Sequence, residues 1–260
     1  MFFSKPDVEQ IISQTCLNRI DLFEQLDSTN SFAIENTTVQ SSELPWAVIA
    51  KQQTSGRGRG NNVWHASEGA LTFTLVFDQS SIVIPSRRWH QVSLITAVAV
   101  ANAIEQVLGG INVHLKWPND IYCEGRKLCG ILVEQVERQD NRLHIGIGIN
   151  VNNSFQDAPA EIQEKAISLI ELLGDESYLP ELFLQIVLQL QELLELCADS
   201  FQPLVQHWVP RCLLRDRSIE VQLGEKLLHG YCQSINEEGA LQLATDQKVE
   251  SLFAGVVTKF

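Results

Sequence analysis

Apolar positions along this 260-residue chain follow two rhythms, and each predicts a different kind of element. Over 4–18 a helix is predicted: Ser4 suits a cap, Pro6 and Asp7 suit a first turn, and Val8, Ile11, Ile12 and Leu17 fall near one face. The same rhythm predicts a long helix over 85–108, carried by Trp89, Val92, Ile95, Ala99 and Ala103 and stopped by Gly109-Gly110. Further helices are expected over 160–173, ending at Gly174, over 180–198, and around 201–208. Strands rich in β-branched and aromatic residues are predicted at 46–50, 70–77, 113–116, 127–134 and 143–150. From Arg211 the texture becomes short alternating runs, 218–223, 226–235, 240–244 and 249–257, separated by Gly, Asn and Asp turns. That is the pattern of a small antiparallel barrel. The expected fold class is α+β, a mixed or antiparallel sheet packed with helices plus a small C-terminal β-barrel, divided as 1–210 and 211–260.

Polar islands interrupt this pattern at strand ends. After Leu26 come Asp27, Ser28, Thr29 and Asn30, short side chains that either cap a helix or line a small-molecule pocket. The strand at 46–50 runs into Gln53-Thr54-Ser55-Gly56-Arg57-Gly58-Arg59-Gly60, which continues to Trp64. Glycines let backbone approach a ligand and arginines present donor forks to phosphate or carboxylate, so the segment reads as an anion clamp. A flexible surface turn or a weak nucleic-acid patch has the same composition. Because a strand follows it, and no Gly-Lys-Ser/Thr ending is present, it is not a Walker phosphate loop. Pro118 makes a rigid corner of Lys116-Trp117-Pro118-Asn119-Asp120, and a hairpin then brings Lys116 and Lys127 to one end of the sheet. On the last strand Gly146 and Gly148 alternate and bare one face, either for a ligand or for close packing of a helix.

Charge sharpens this picture. The formal net charge is -13, which disfavours broad attraction to nucleic acid, so a cationic site must be local. The cysteines at 16, 123, 129, 197, 212 and 232 show no metal-ligand spacing and read as reduced, mostly buried thiols of a cytoplasmic protein. The histidines are equally dispersed, so no structural metal is expected. The longest apolar run, 92–100, is too short to span a bilayer, and no membrane association is expected. No Ser/His/Asp or Cys/His nucleophile is apparent. Cations gathered without a covalent nucleophile suit phosphoryl or nucleotidyl transfer, where positioning and charge stabilisation do most of the work.

These motifs in this order, with Arg126-Lys127-Leu128-Cys129-Gly130-Ile131-Leu132-Val133-Glu134 and Gly146-Ile147-Gly148-Ile149-Asn150, resemble the biotin protein ligases from Leu26 to the C-terminus. The resemblance implies a class II synthetase-like catalytic domain with an SH3-like barrel. It implies ATP and biotin as substrates with Mg²⁺, biotinyl-5′-AMP as the acyl-adenylate, and a lysine of a biotin carboxyl carrier protein as acceptor. Ser28, Thr29, Asn30 and Gln53 would bind the ureido ring, with Gly130, Gly146 and Gly148 leaving room for it. Arg57, Gly58 and Arg59 would close over the biotin carboxylate and phosphates in a lid that is disordered when empty, and Lys127 would be the central electrostatic catalyst. Arg59, Trp64, Lys116, Asn119 and Asn150 are implied on the ATP side, with Asp120 toward Mg²⁺. Near Ala166, where relatives place an aromatic residue over the adenine, this chain has small or aliphatic side chains. The residues before Leu26 are too few for the DNA-binding domain that some relatives carry, and a homodimer is implied by resemblance alone. Lipoate or octanoyl protein ligases, and a non-catalytic biotin sensor, are the alternatives; the full cation set favours the biotin ligase.

Overall fold

The computed structural model describes residues 2–36, 38–79, 81–135, 142–156 and 158–260. The first helix, α1 (Lys5–Gln14), is shorter than expected. Its N-terminus is closed by a reciprocal Ser4–Asp7 pair, with the Ser4 backbone N–H donating to Asp7 Oδ2 at 2.7 Å. Chain that the helical rhythm carried to residue 18 gives way to strand β1 (Arg19–Leu26). Helix α2 (Thr29–Glu35) follows, with Ser28 as its cap, and leads to β2 (Trp46–Gln53), which pairs parallel with β1. Strand β3 (Leu71–Asp78) returns antiparallel.

The helix expected over 85–108 begins as 3-10 turns, Ser86–Gln91, and continues as α3 (Val92–Leu108). Taken together, Ser86–Leu108 is long and apolar enough to cross a membrane by length and composition alone. Two-thirds of its apolar window (67%) is buried inside the fold, as befits a core helix. Strands β4 (His114–Lys116), β5 (Asp120–Cys123), β6 (Arg126–Gln135) and β7 (Arg142–Ile149) complete a seven-stranded sheet in the order β1-β2-β3-β7-β6-β5-β4. The segment at 160–173 is not one helix. It divides into α4 (Ala160–Lys165) and α5 (Leu169–Leu173), because the intervening residues turn extended and Ala166 bridges Lys127 at the sheet. Helices α6 (Leu179–Leu196) and α7 (Gln202–Trp208) match expectation closely.

The C-terminal sheet orders β8 (Ser218–Leu223), β9 (Lys226–Ile235), β10 (Leu241–Ala244), β11 (Val249–Leu252) and β12 (Val256–Lys259) as β11-β10-β9-β8-β12. The run expected at 249–257 is thus two strands, with the break before Gly255, whose φ of 140° suits only glycine. Ile219, Val221, Leu241 and Leu243 of this sheet belong to the same hydrophobic cluster as the main core.

Alternation on the large sheet assigns its two faces. Ile49, Phe73, Ile147 and Ile131 lie in one cross-strand row and are buried, with Phe73 edge-on to Phe183 of α6 at 4.9 Å between centroids. The opposite face carries Thr72, Thr74, Gly148, Gly146, Gly130 and Leu132, where small and polar residues leave room above the sheet.

Candidate functional site

Above that second face lies a cleft of about 770 Å³. Its lining includes the cations Arg57, Arg59, Lys116, Lys127 and Lys165 and one carboxylate, Asp120. A chain of net charge -13 has therefore concentrated positive charge locally.

Lys127 reaches the cleft through a local irregularity. Asp120 pairs with Gly130 and Ile121 with Cys129, but Tyr122 pairs with Lys127, so Leu128 is an extra residue in β6. Without it the register would set Leu128 opposite Tyr122, on the cleft face. The bulge leaves Leu128 fully buried and brings Lys127 Nζ to 2.6 Å from Asp120 Oδ1. Lys116, across the β4–β5 hairpin from Asp120, has Nζ at 4.3 Å from the Phe260 ring centroid and 5.5 Å from that of Tyr122. Burial lowers the Lys116 pKa, partly opposed by Asp120.

At the other end, Ser28, Thr29 and Asn30 serve both of the roles left open by their sequence. Ser28 caps α2, accepting from the Ser31 N–H at 3.4 Å, and all three residues are buried at the cleft wall. The Thr29 N–H and hydroxyl donate to Gln53 Oε1 at 2.7 and 3.2 Å. Asn30 stands directly over Gly146, where a Cβ would overlap its amide. The Trp64 indole stands likewise over Gly148 and against Gly130. The bare glycine face is thus partly filled by these two side chains, while Gly130, Gly146 and Gly148 still line the cleft.

The Arg/Gly segment is a folded hairpin rather than an open coil. Arg57 bridges Val63, the Gly58 N–H donates to Asn62 O at 2.8 Å, and the Trp64 N–H donates to Gly56 O at 2.9 Å. Arg59 donates to Gly255 O at 2.8 Å, which fastens the hairpin to the C-terminal sheet, and burial lowers its pKa. Arg57 pairs with Glu134 at 2.6 Å.

A second cavity of about 400 Å³ adjoins the cleft across Trp64 and Lys127, with Tyr122, Asn150, Phe155 and Ile162 among its other lining residues. The aromatic walls here come from Trp64, Tyr122, Phe155 and Phe260, while Ala166 offers only a methyl group. Asn150 lines this cavity, but its amide also donates to Lys127 O at 3.4 Å. Asn119 likewise lines the cleft while its amide donates to Ile131 O at 2.7 Å, pinning the Pro118 corner to β6. Thr74, Tyr122, Phe155 and Phe260 escaped the sequence reading, as did the contacts of Glu134. Thr74 carried a signal, since its alternation with Phe73 puts it on the glycine face; the others are brought in by tertiary pairing. Among the described residues no three His, Cys, Asp or Glu side chains converge as a metal cage.

Fold and site together define an α+β protein with a cationic cleft beside an aromatic-walled cavity. The family model for biotin/lipoate A/B protein ligases matches residues 22–152, and the chain belongs to that family. The Bacillus subtilis bifunctional ligase/repressor BirA is 32% identical over 80% of this chain, which spans 64% of that relative's length. The biotin–[acetyl-CoA-carboxylase] ligase of Paracoccus denitrificans is 26% identical over 85% of this chain and 92% of its own. Among solved structures, the Aquifex aeolicus biotin protein ligase in complex with biotin and ATP superposes with a TM-score of 0.81 at 26% identity, covering 93% of this chain and 98% of that one.

Proposed function

We propose that this chain is an ATP-dependent biotin protein ligase acting on a biotin carboxyl carrier protein. The observation that carries the reading is the convergence of Arg57, Arg59, Lys116 and Lys127 on a cleft whose far wall is the Ser28-Thr29-Asn30 cap with Gln53. The Paracoccus and Bacillus relatives and the biotin- and ATP-bound Aquifex neighbour support it.

In the first step the biotin carboxylate attacks the α-phosphorus of ATP, a P–O bond forms, and pyrophosphate leaves. Lys127 stands where charge passes between these oxygens and stabilises it without changing its own protonation. Asp120, 2.6 Å away, holds that ammonium in place. The lid arginines neutralise the carboxylate and phosphates, and Trp64 with Phe155 walls the nucleoside. In the second step the neutral amine of the acceptor lysine attacks the mixed anhydride and AMP departs. A folded lid excludes the water that would otherwise hydrolyse the anhydride. Mg²⁺ would be carried mainly by phosphates and water, with Asp120 the one carboxylate lining the cleft that could hold it, and it would supply further charge neutralisation.

We assign residues 1–210 to catalysis and 211–260 to a barrel that buttresses the lid through Arg59 and Gly255, with Met1 outside the described residues. Incubation with biotin, Mg-ATP and a carrier domain will add one biotinyl group to one carrier lysine, read by intact mass. Transfer of lipoyl or octanoyl in place of biotin would select the other branch of the family.

A further inference from the structure

Glu134 sits on the cleft face of β6, opposite His144 of β7, but does not itself line the cleft. Its two carboxylate oxygens hold two groups that do. Oε1 accepts from Arg57 Nη2 at 2.6 Å and Oε2 accepts from Asn30 Nδ2 at 3.0 Å. Asn30 Nδ2 also donates to Leu132 O at 3.3 Å, while Asn30 Oδ1 accepts from the Thr74 hydroxyl at 2.5 Å. An asparagine amide has two ends of nearly the same shape, and these partners determine which end faces which way. Arg57 uses one of its five N–H groups on Glu134, with Nη1 3.4 Å from Ser31 Oγ, so donors remain for a ligand.

We propose that Glu134 is a positioning residue that joins the lid to the fixed wall of the pocket. With one oxygen on Arg57 and the other on Asn30, the carboxylate makes closure of the lid and orientation of the Asn30 amide a single event. The ligand to which this coupling is applied is biotin on the reading above; the coupling itself rests on the contacts alone. A contact that merely occupied Arg57 in place of a ligand carboxylate would act in the opposite sense, since removing it would tighten binding.

The isosteric Glu134→Gln variant of the full chain tests the idea, with circular dichroism to establish that it is folded. In ligand-free protein, trypsin will cut after Arg57 or Arg59 about tenfold faster than in the parent, because the charged tether is gone. The KM for biotin will rise about tenfold while kcat at saturating biotin changes by less than about twofold. Arg57→Gln removes the other partner from the exposed side and will speed cleavage at Arg59 similarly, and adding Glu134→Gln to it will bring no further increase. Unchanged cleavage in both single variants overturns the proposal, and so does a lower biotin KM in Glu134→Gln. Faster cleavage in proteins that show no biotin-dependent turnover upholds the coupling while removing biotin as its ligand.

Discussion

Lys127 illustrates how much the cleft depends on single side chains. It pairs with Asp120, and the remaining cleft cations are held elsewhere: Lys116 against aromatic rings, Arg57 on Glu134, Arg59 on Gly255, Lys165 on Glu161. Lys127→Ala will therefore slow biotinyl-adenylate formation by about 10²–10³ in single turnover, while the biotin Kd weakens far less. Equal losses in rate and binding would assign Lys127 to ground-state binding instead. Gly148 makes a different demand, for space. A Cβ there would overlap the Trp64 indole, so Gly148→Ala displaces the ring that walls the second cavity. The KM for ATP will rise about tenfold or more, measured by steady-state pyrophosphate release. At this scale much of the site was legible in the sequence, because Arg57, Arg59, Lys116 and Lys127 are out of place in an acidic chain unless an anion calls for them. Phe155 and the contacts of Glu134 were not legible, since a loop phenylalanine looks like its surface equivalents and a motif glutamate does not name its partners.

Among the elements, α3 and β6 show what packing adds to pattern. Helix α3 is apolar nearly all round because it is enclosed by the sheet and α6, and Ile104 within it is fully buried. Ile104→Ala will cost about 2–5 kcal/mol of unfolding free energy in urea titration without shifting the biotin KM, since the helix lies on the face away from the cleft. In β6 the alternating pattern located a strand but not its bulge. One extra residue at Leu128 decides whether position 127 faces the core or the ligand, and only pairing with β5 reveals it. Strand β1 was hidden for a related reason: its residues are half-buried, and its place in the sheet comes from parallel pairing with β2. The division between α4 and α5 likewise follows from the Ala166–Lys127 bridge, a contact distant in sequence that overrides local helical rhythm.

The molecule as a whole is organised so that one sheet presents its apolar face to helices and its bare face to the cationic cleft, with the C-terminal sheet touching the Arg/Gly hairpin. Burial also sets a pH response. His144, enclosed between β3 and β6, is pushed down to about 4 from an ordinary value of 6.5. Between pH 6.5 and 4 the unfolded chain binds a proton that the folded one does not, so this contribution is intact above pH 6.5 and lost as pH falls through that window. It amounts to about 3 kcal/mol at most, and unfolding free energy measured across the window will fall less steeply in His144→Gln than in the parent. The cationic cleft, the folded lid and the walled nucleoside cavity together make one claim, that biotin and ATP meet here and react before any acceptor arrives. Biotin-dependent pyrophosphate release from Mg-ATP, without carrier protein, tests that claim most directly. A burst stoichiometric with enzyme and absent with lipoate or octanoate is the predicted result; no release with biotin at saturating ATP contradicts it.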